Sequence, residues 1–179
     1  MSPPKRGPLP DVVAPGLRVL FVGINPGIRS AELGHHFAGF SNRFWKLLYE
    51  SGLVPEPIGT LDDHRLPEWG FGITNLVPRA TPGIDTLTRD EYESGARVLR
   101  RKVRRVKPEV VAFVGVTLFR LLFAKKDAIA PGPQPETFEG AKVFVLPNPS
   151  GRNANFTYAE MLAAFVALRQ YVGRGRRSG

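Results

Sequence analysis

Residues 17–27 read LRVLFVGINPG, an apolar run that ends at a glycine and passes at once into a polar loop. A short continuous apolar run of this kind is typical of a buried strand in a parallel sheet. Ligands of open α/β sheets bind beyond the carboxyl ends of the strands. Glycine in such a loop lets backbone N–H groups approach a ligand where no Cβ intrudes. The stretch therefore predicts a central strand and one wall of a site.

Strands and helices alternate along the rest of the chain. Further strands are expected at 71–77, 110–115 and 142–147. Helices are expected at 41–52 with Ser41 as cap, at 88–107 and from 157 onward with Thr-x-x-Glu capping boxes, and after Thr117. Residues 53–70 are expected to be loop with a short helix, and 125–140 a Pro/Gly loop. Helical crossovers between apolar strands predict an α/β fold with a mostly parallel sheet covered on both faces.

Length and composition favour one domain of 16–173, after a lead-in of 1–15 that is expected to be disordered and before a basic tail of 174–179 that is also expected to be disordered. No apolar run reaches membrane-spanning length, and no secretory signal is visible. The chain has no cysteine, which excludes disulfides, thiol nucleophiles, zinc–thiolate sites and cysteine-ligated iron–sulfur clusters. A cytoplasmic protein is the simplest interpretation.

The formal net charge is +9. Part of it lies in the termini, and seven Lys and Arg residues with no acid fall between Arg97 and Lys107. This distribution fits a polyanionic partner such as nucleic acid. It fits equally well floppy tails and one solvated helix face, and the charge does not separate the two interpretations.

Three loops carry the polar residues that follow candidate strands: GINPG (23–27), the Thr74–Asn75 region and NPSGRN (148–153). In a parallel sheet they open on one edge. No G-K-[ST], GxGxxG, HExxH or GxSxG motif is present, and the three histidines lack metal-ligand spacing. A nucleotide-phosphate loop and a metal centre are therefore not expected.

The chain resembles the mismatch-specific uracil/thymine DNA glycosylases of the uracil-DNA glycosylase superfamily. The shared motifs cover nearly the whole chain: GINPG (23–27), GHHFAG (34–39), NRFWK (42–46), DDHRLP (62–67), GFGITNLV (70–77), TPG (81–83) and NPSG (148–151). The resemblance implies a three-layer α/β/α sandwich. It also implies a monomeric, monofunctional glycosylase that flips uracil, or thymine or an exocyclic adduct, out of a G:U-type mismatch in double-stranded DNA and starts base excision repair. No cofactor, metal or membrane is implied, and DNA binding would place the protein at the nucleoid.

The same resemblance assigns residues to the reaction. Asn25 would place the water that attacks C1′, but as a neutral amide it cannot take the proton, so slow chemistry is expected. Phe37 would stack on the flipped base, and backbone near Ile24 and Phe37 would read its edge. Ser30 would lie beside C5 and favour uracil over thymine. Asn148 stands where stronger superfamily members have a histidine.

Two further pocket residues and one acid are assigned less directly by the resemblance. His36 would donate to a base carbonyl or a phosphate, or it is a solvated loop histidine. Asn75 would lie near the pocket floor. Asp85 is the nearer candidate for an auxiliary acid, and Asp90 more simply serves a helix N-terminus.

The last motif resembles the loop that enters the duplex. Arg152 would be the wedge that fills the vacated space, and carbonyls near Gly151 and Asn153 would pair with the orphan guanine; Pro149 and Ser150 complete this loop. Two other hypotheses stay open. One is a non-catalytic, mismatch-sensing DNA-binding module on the same fold, and the other is a small α/β nucleotide-binding protein.

Overall fold

The computed structural model describes residues 9–175, with side chains described up to residue 173. One five-stranded sheet has the order β2-β1-β3-β5-β4. Its strands are β1 (Val19–Gly23), β2 (Phe71–Asn75), β3 (Val110–Val114), β4 (Gly132–Phe138) and β5 (Ala141–Leu146). The pairs β1–β2, β1–β3 and β3–β5 are parallel, and β4 runs antiparallel to β5. Four strands thus share one carboxyl edge.

The helices are α1 (Ile28–Leu33), α2 (Phe44–Glu50), α3 (Arg89–Val106), α4 (Val116–Phe123) and α5 (Tyr158–Gly175). Two 3-10 helices span Thr60–Trp69 and Ile84–Thr86. In the described part of the chain, none of the helices has the length and apolarity needed to cross a membrane.

Alternation along β1 produces two separate cores. Val19 and Phe21 point into a cluster with the apolar faces of α2 and α5. Leu20 and Val22 point into a second cluster with α3 and α4. Successive strand residues face opposite sides of a sheet, so a strand buried on both sides needs a helical layer on each. The sequence prediction of a three-layer α/β/α sandwich with a mostly parallel sheet is confirmed.

Local capping signals are confirmed at two helices and wrong at two others. Thr88 and Glu91 form the expected capping box at α3, and Thr157 and Glu160 exchange the same two bonds before α5. At α2 the cap is not Ser41, because the helix begins later and the Oδ1 of Asn42 accepts the Phe44 N–H at 3.0 Å. At α4 the helix begins directly after Gly115, so Thr117 lies inside its first turn.

The expected loop at 125–140 contains β4, and α1 was not predicted at all. The lead-in expected at 1–15 packs on the sheet in part, since Val12 pairs with Ile73 in an antiparallel bridge. Residues 174 and 175 of the expected tail continue α5. The predictions for 1–8 and 176–179 lie outside the described residues.

Candidate functional site

A cavity of about 650 Å³ lies at the carboxyl edge of the sheet. The ends of four neighbouring strands contribute to its lining: Gly23 of β1, Asn75 of β2, Val114 of β3 and Asn148 just after β5. The volume falls within the range of roughly 300–1,000 Å³ that is usual for small-molecule sites. The three polar loops that the sequence places on one sheet edge therefore meet around one cavity.

Asn25 enters this cavity with one end of its amide fixed. Its Nδ2 donates to the backbone oxygen of Arg79 at 2.9 Å and to Oγ1 of Thr81 at 2.7 Å. A backbone carbonyl can only accept, so the atom facing Arg79 is the nitrogen. No donor among residues 9–175 bonds to Oδ1, which leaves that oxygen available to a water molecule or ligand.

Phe37 lines the cavity in a backbone conformation that phenylalanine rarely adopts. Its φ is +51°, in the left-handed region. One face of its ring stacks on Phe44, with centroids 4.1 Å apart and planes 25° from parallel. The covered face fixes the ring, and a planar ligand can be received only on the other side.

The buried carboxylate of Asp63 holds the turn that carries Phe37. Its Oδ2 accepts the backbone N–H of His36 at 2.9 Å, and its Oδ1 lies 2.9 Å from Nδ1 of His35. The carbonyl of His36 accepts from the indole of Trp45 and the hydroxyl of Thr60. These bonds from two elements, α2 and the 3-10 helix Thr60–Trp69, stabilise a strained residue at the cavity wall.

His36 is buried and neutral. Its Nε2 lies 2.8 Å from the carbonyl oxygen of Pro10, so this nitrogen carries the proton. Burial lowers the pKa of His36 below its ordinary 6.5, against the opposing attraction of Asp63 and Asp11. The ring therefore presents Nδ1 as an acceptor. Donation from this ring to a base carbonyl, one role that the resemblance suggests, is not available in this tautomer.

Two small residues shape the rest of the pocket. Ser30 is buried, and its hydroxyl accepts the Ala38 N–H at 3.0 Å, which ties α1 to the turn after Phe37. A Cβ on Gly23 would lie 2.7 Å from Oδ1 of Asn75, so only glycine lets the Asn75 side chain cross the end of β1. Ile24 also lines the cavity, and its carbonyl accepts from Val77.

The loop 148–153 is braced internally and from one side. Asn148 accepts the Ser150 N–H on Oδ1 and the Asn153 side-chain amide on its carbonyl, both at 3.0 Å. Pro149 accepts the Arg43 N–H at 2.9 Å. Ser150, Gly151 and the exposed Arg152 line the cavity, whereas Pro149 and Asn153 do not. Asp85 is exposed and is not among the lining residues either.

The family model described as the uracil DNA glycosylase superfamily matches residues 10–170, which is most of the chain. The protein belongs to the uracil DNA glycosylase superfamily. Membership supports a DNA glycosylase, a hydrolase that acts on uracil in DNA for repair. The observed α/β/α sandwich agrees with this assignment.

Two residues of this superfamily member were not assigned by sequence reasoning. Thr81 is only 4% exposed, and its hydroxyl accepts from Asn25 while donating to the carbonyl of Gly83. Asp63 carries the turn of Phe37. Both stand inside motifs that the resemblance contains, TPG and DDHRLP, but a motif alone does not say which side chains its members contact.

Proposed function

We propose that this superfamily member is a monofunctional, mismatch-specific glycosylase. It hydrolyses the N-glycosidic bond of uracil opposite guanine, and it extends to thymine or exocyclic pyrimidine adducts. The observation that carries the proposal is the half-anchored amide of Asn25, whose Oδ1 is available in a cavity that Phe37 and Arg152 also line. A water held by Oδ1 would attack C1′ of a nucleotide flipped into this cavity.

The proposed chemistry is slow because no strong base takes a proton from the attacking water. An amide oxygen accepts a hydrogen bond and orients the water, but it cannot take the proton at ordinary pH. General base catalysis is typically worth about 10²–10⁴-fold. Bond breaking then depends on a good leaving base and on neutral hydrogen bonds to the departing anion. Asn148 supplies no charge for that purpose, since its side chain is a neutral amide, and its Oδ1 already accepts from Ser150.

Base recognition follows from the pocket wall. The free side of Phe37 stacks on the pyrimidine, and the Asn75 amide lies at the pocket floor over Gly23. Ser30 crowds the 5-methyl group of thymine and so favours uracil. Among the described lining residues none is a lysine, which agrees with a single hydrolytic step and no Schiff base.

The loop 148–153 is the part of the protein that we propose selects guanine as the base opposite the flipped uracil. The carbonyls of Asn148 and Pro149 are already used by Asn153 and Arg43. The carbonyls of Gly151 and Asn153 are the ones proposed to accept from guanine N1–H and N2–H₂. Arg152 fills the vacated space with its stem and reaches phosphate with its guanidinium.

Single-turnover excision on matched duplexes tests the proposal. Uracil opposite guanine, uracil opposite adenine and thymine opposite guanine are incubated with excess protein, and abasic sites are cleaved. We expect release in the order G·U, then A·U and G·T. Asn25→Ala lowers excision about 100-fold or more and keeps duplex affinity, whereas Asn155→Ala, an exposed asparagine outside the cavity, changes neither.

The alternative is a mismatch-sensing module without catalysis. It predicts tight binding of the G·U duplex and no uracil release at stoichiometric protein. That result would contradict the enzymatic proposal, whereas the proposal that this surface binds DNA would still hold.

A further inference from the structure

Phe40 is the most exposed large apolar residue of the described chain, with 90% of its surface accessible. It belongs to neither core cluster, and it stands at the rim of the cavity. The guanidinium of Arg29 lies over its ring, 3.8 Å from the centroid. Arg29 is itself held by a bond from Nε to the carbonyl of Ala38 at 2.9 Å. The ring is thus supported on one side and open on the other.

The segment that carries Phe40 is paired with the loop of Arg152. Asn42 and Ser150 form an antiparallel bridge, and the Gly151 N–H donates to the Ser41 carbonyl at 2.8 Å. A Cβ on Gly151 would lie 2.8 Å from that same carbonyl oxygen, so the two backbones are as close as glycine permits. Residues 40–43 and 149–152 therefore form one paired ridge beside the cavity, with Phe40 on one segment and Arg152 on the other.

We propose that Phe40 is a second residue that penetrates the duplex. It enters the base stack next to the flipped nucleotide, while Arg152 occupies the vacated position. This rests on the proposed base-flipping function. Arg152 ends in a hydrated charge, which fills a gap between bases less well than an apolar ring. Apolar wedges such as phenylalanine unstack neighbouring base steps, and the free ring face can stack on any base. Arg29 behind the ring supplies positive charge for the adjacent phosphates.

The test uses a G·U duplex in which a 2′-fluoro substituent blocks hydrolysis and 2-aminopurine replaces the base beside the uracil. Affinity and 2-aminopurine fluorescence are measured for wild type, Phe40→Ala, Phe40→Trp and Leu61→Ala. Leu61 is the matched control, an exposed leucine at 63% that does not line the cavity. The same strand without its complement serves as the second substrate.

We expect Phe40→Ala to weaken duplex binding about 5- to 150-fold. It should also abolish most of the fluorescence change and affect the single strand much less. Phe40→Trp should retain both signals, and Leu61→Ala should match wild type. Phe40→Ala affinity within twofold of wild type, or equal losses on duplex and single strand, would overturn the proposal. Because binding is read on a blocked substrate, these results stand apart from whether wild type excises uracil from an unblocked duplex.

Discussion

At the scale of single residues, the hydrogen bonds of Asn25 decide what its side chain can do. Both amide protons are directed at protein acceptors, the Arg79 carbonyl and the Thr81 hydroxyl. The amide therefore cannot rotate to offer its nitrogen to the water without losing two bonds. A fixed Oδ1 places the water without reorganisation during the reaction, which is how a weak catalytic group still contributes to rate.

Thr81 helps to fix the Asn25 amide, because its hydroxyl accepts a hydrogen bond from Nδ2 of Asn25 and donates one to the Gly83 carbonyl. Thr81→Val keeps the buried shape and removes that acceptor. We expect excision to fall about 10-fold, in line with one hydrogen bond of about 1–1.5 kcal/mol, with duplex affinity unchanged. Single-turnover rates and titration of the G·U duplex measure the two quantities. Thr86→Val, at an exposed threonine, is the control, and a parallel loss of affinity would contradict a purely positioning role.

His36 makes stability depend on pH. Its folded pKa is below 6.5 because of burial, so the unfolded chain takes up the proton first as pH falls. The contribution of neutral His36 is fully present above about pH 6.5 and is lost progressively below it, until the folded pKa is reached. Urea unfolding at pH 7.5, 6.5 and 5.5 should show a smaller decline for His36→Gln than for wild type. The exposed His64→Gln should decline as wild type does, and equal slopes for all three proteins would refute this assignment.

The residues that line the cavity were largely predictable, but their orientation was not. Asn25, Phe37 and Arg152 were named from motifs, and the cavity brings them together. The partners that orient the Asn25 amide stand 54 and 56 residues away in sequence. Asp63 reaches His36 across 27 residues. Contacts over such separations are set by the tertiary fold, and no local pattern encodes them.

At the scale of elements, the buried strands were predictable because each is an unbroken apolar run between breakers. β4 was not predictable from the sequence because Pro133 and Pro135 interrupt it. Proline lacks the N–H that a central strand needs, but it is tolerated on an edge. β4 is the outer strand beside β5, and its register shifts between Gln134 and Thr137. α1 was not predictable because its six residues directly follow Pro26 and Gly27 and have no capping side chain.

α3 packs closely on Leu76, just after β2, because Gly95 of the helix has no side chain. A Cβ on Gly95 would meet the carbonyl oxygen of Leu76 far inside van der Waals contact, and backbone cannot rotate away. Gly95→Ala should lower the free energy of unfolding by about 1–3 kcal/mol through overpacking, which exceeds the gain of up to about 1 kcal/mol in helix propensity.

Chemical denaturation measures the effect of Gly95→Ala, and Gly173→Ala in α5 is the matched control. Nothing lies within 4 Å of a Cβ at Gly173, so alanine there should stabilise the protein by about 0.5 kcal/mol. If both glycines gave the same sign, helix propensity and not the close approach to Leu76 would explain Gly95.

At the scale of the whole molecule, the position of the basic residues matters more than the net charge of +9. The C-terminal end of α3 lies at the amino edge of the sheet, since the Val106 carbonyl accepts from Gly16 just before β1. The cavity lies at the opposite, carboxyl edge. Arg100 and Arg104 are both paired with Glu139. The end of the basic run, from Arg104 to Lys107, is thus far from the candidate DNA-binding edge, whereas Nζ of Lys102 donates to Thr74 near the carboxyl end of β2 and pairs with Asp11 there.

The salt dependence of duplex binding shows whether the basic residues of α3 or Arg152 at the cavity contact DNA phosphates. Each phosphate contact adds a slope of about 0.9 to the fall of log affinity with log salt. Replacing the exposed Arg97, Arg101 and Arg105 together by glutamine should leave both the slope and the excision rate unchanged. Arg152→Gln alone should reduce the slope by about one, because its guanidinium stands at the cavity rim. If the triple variant lost two or more units of slope, the duplex would extend over α3, and the interface would have to include the face of the molecule that carries this helix.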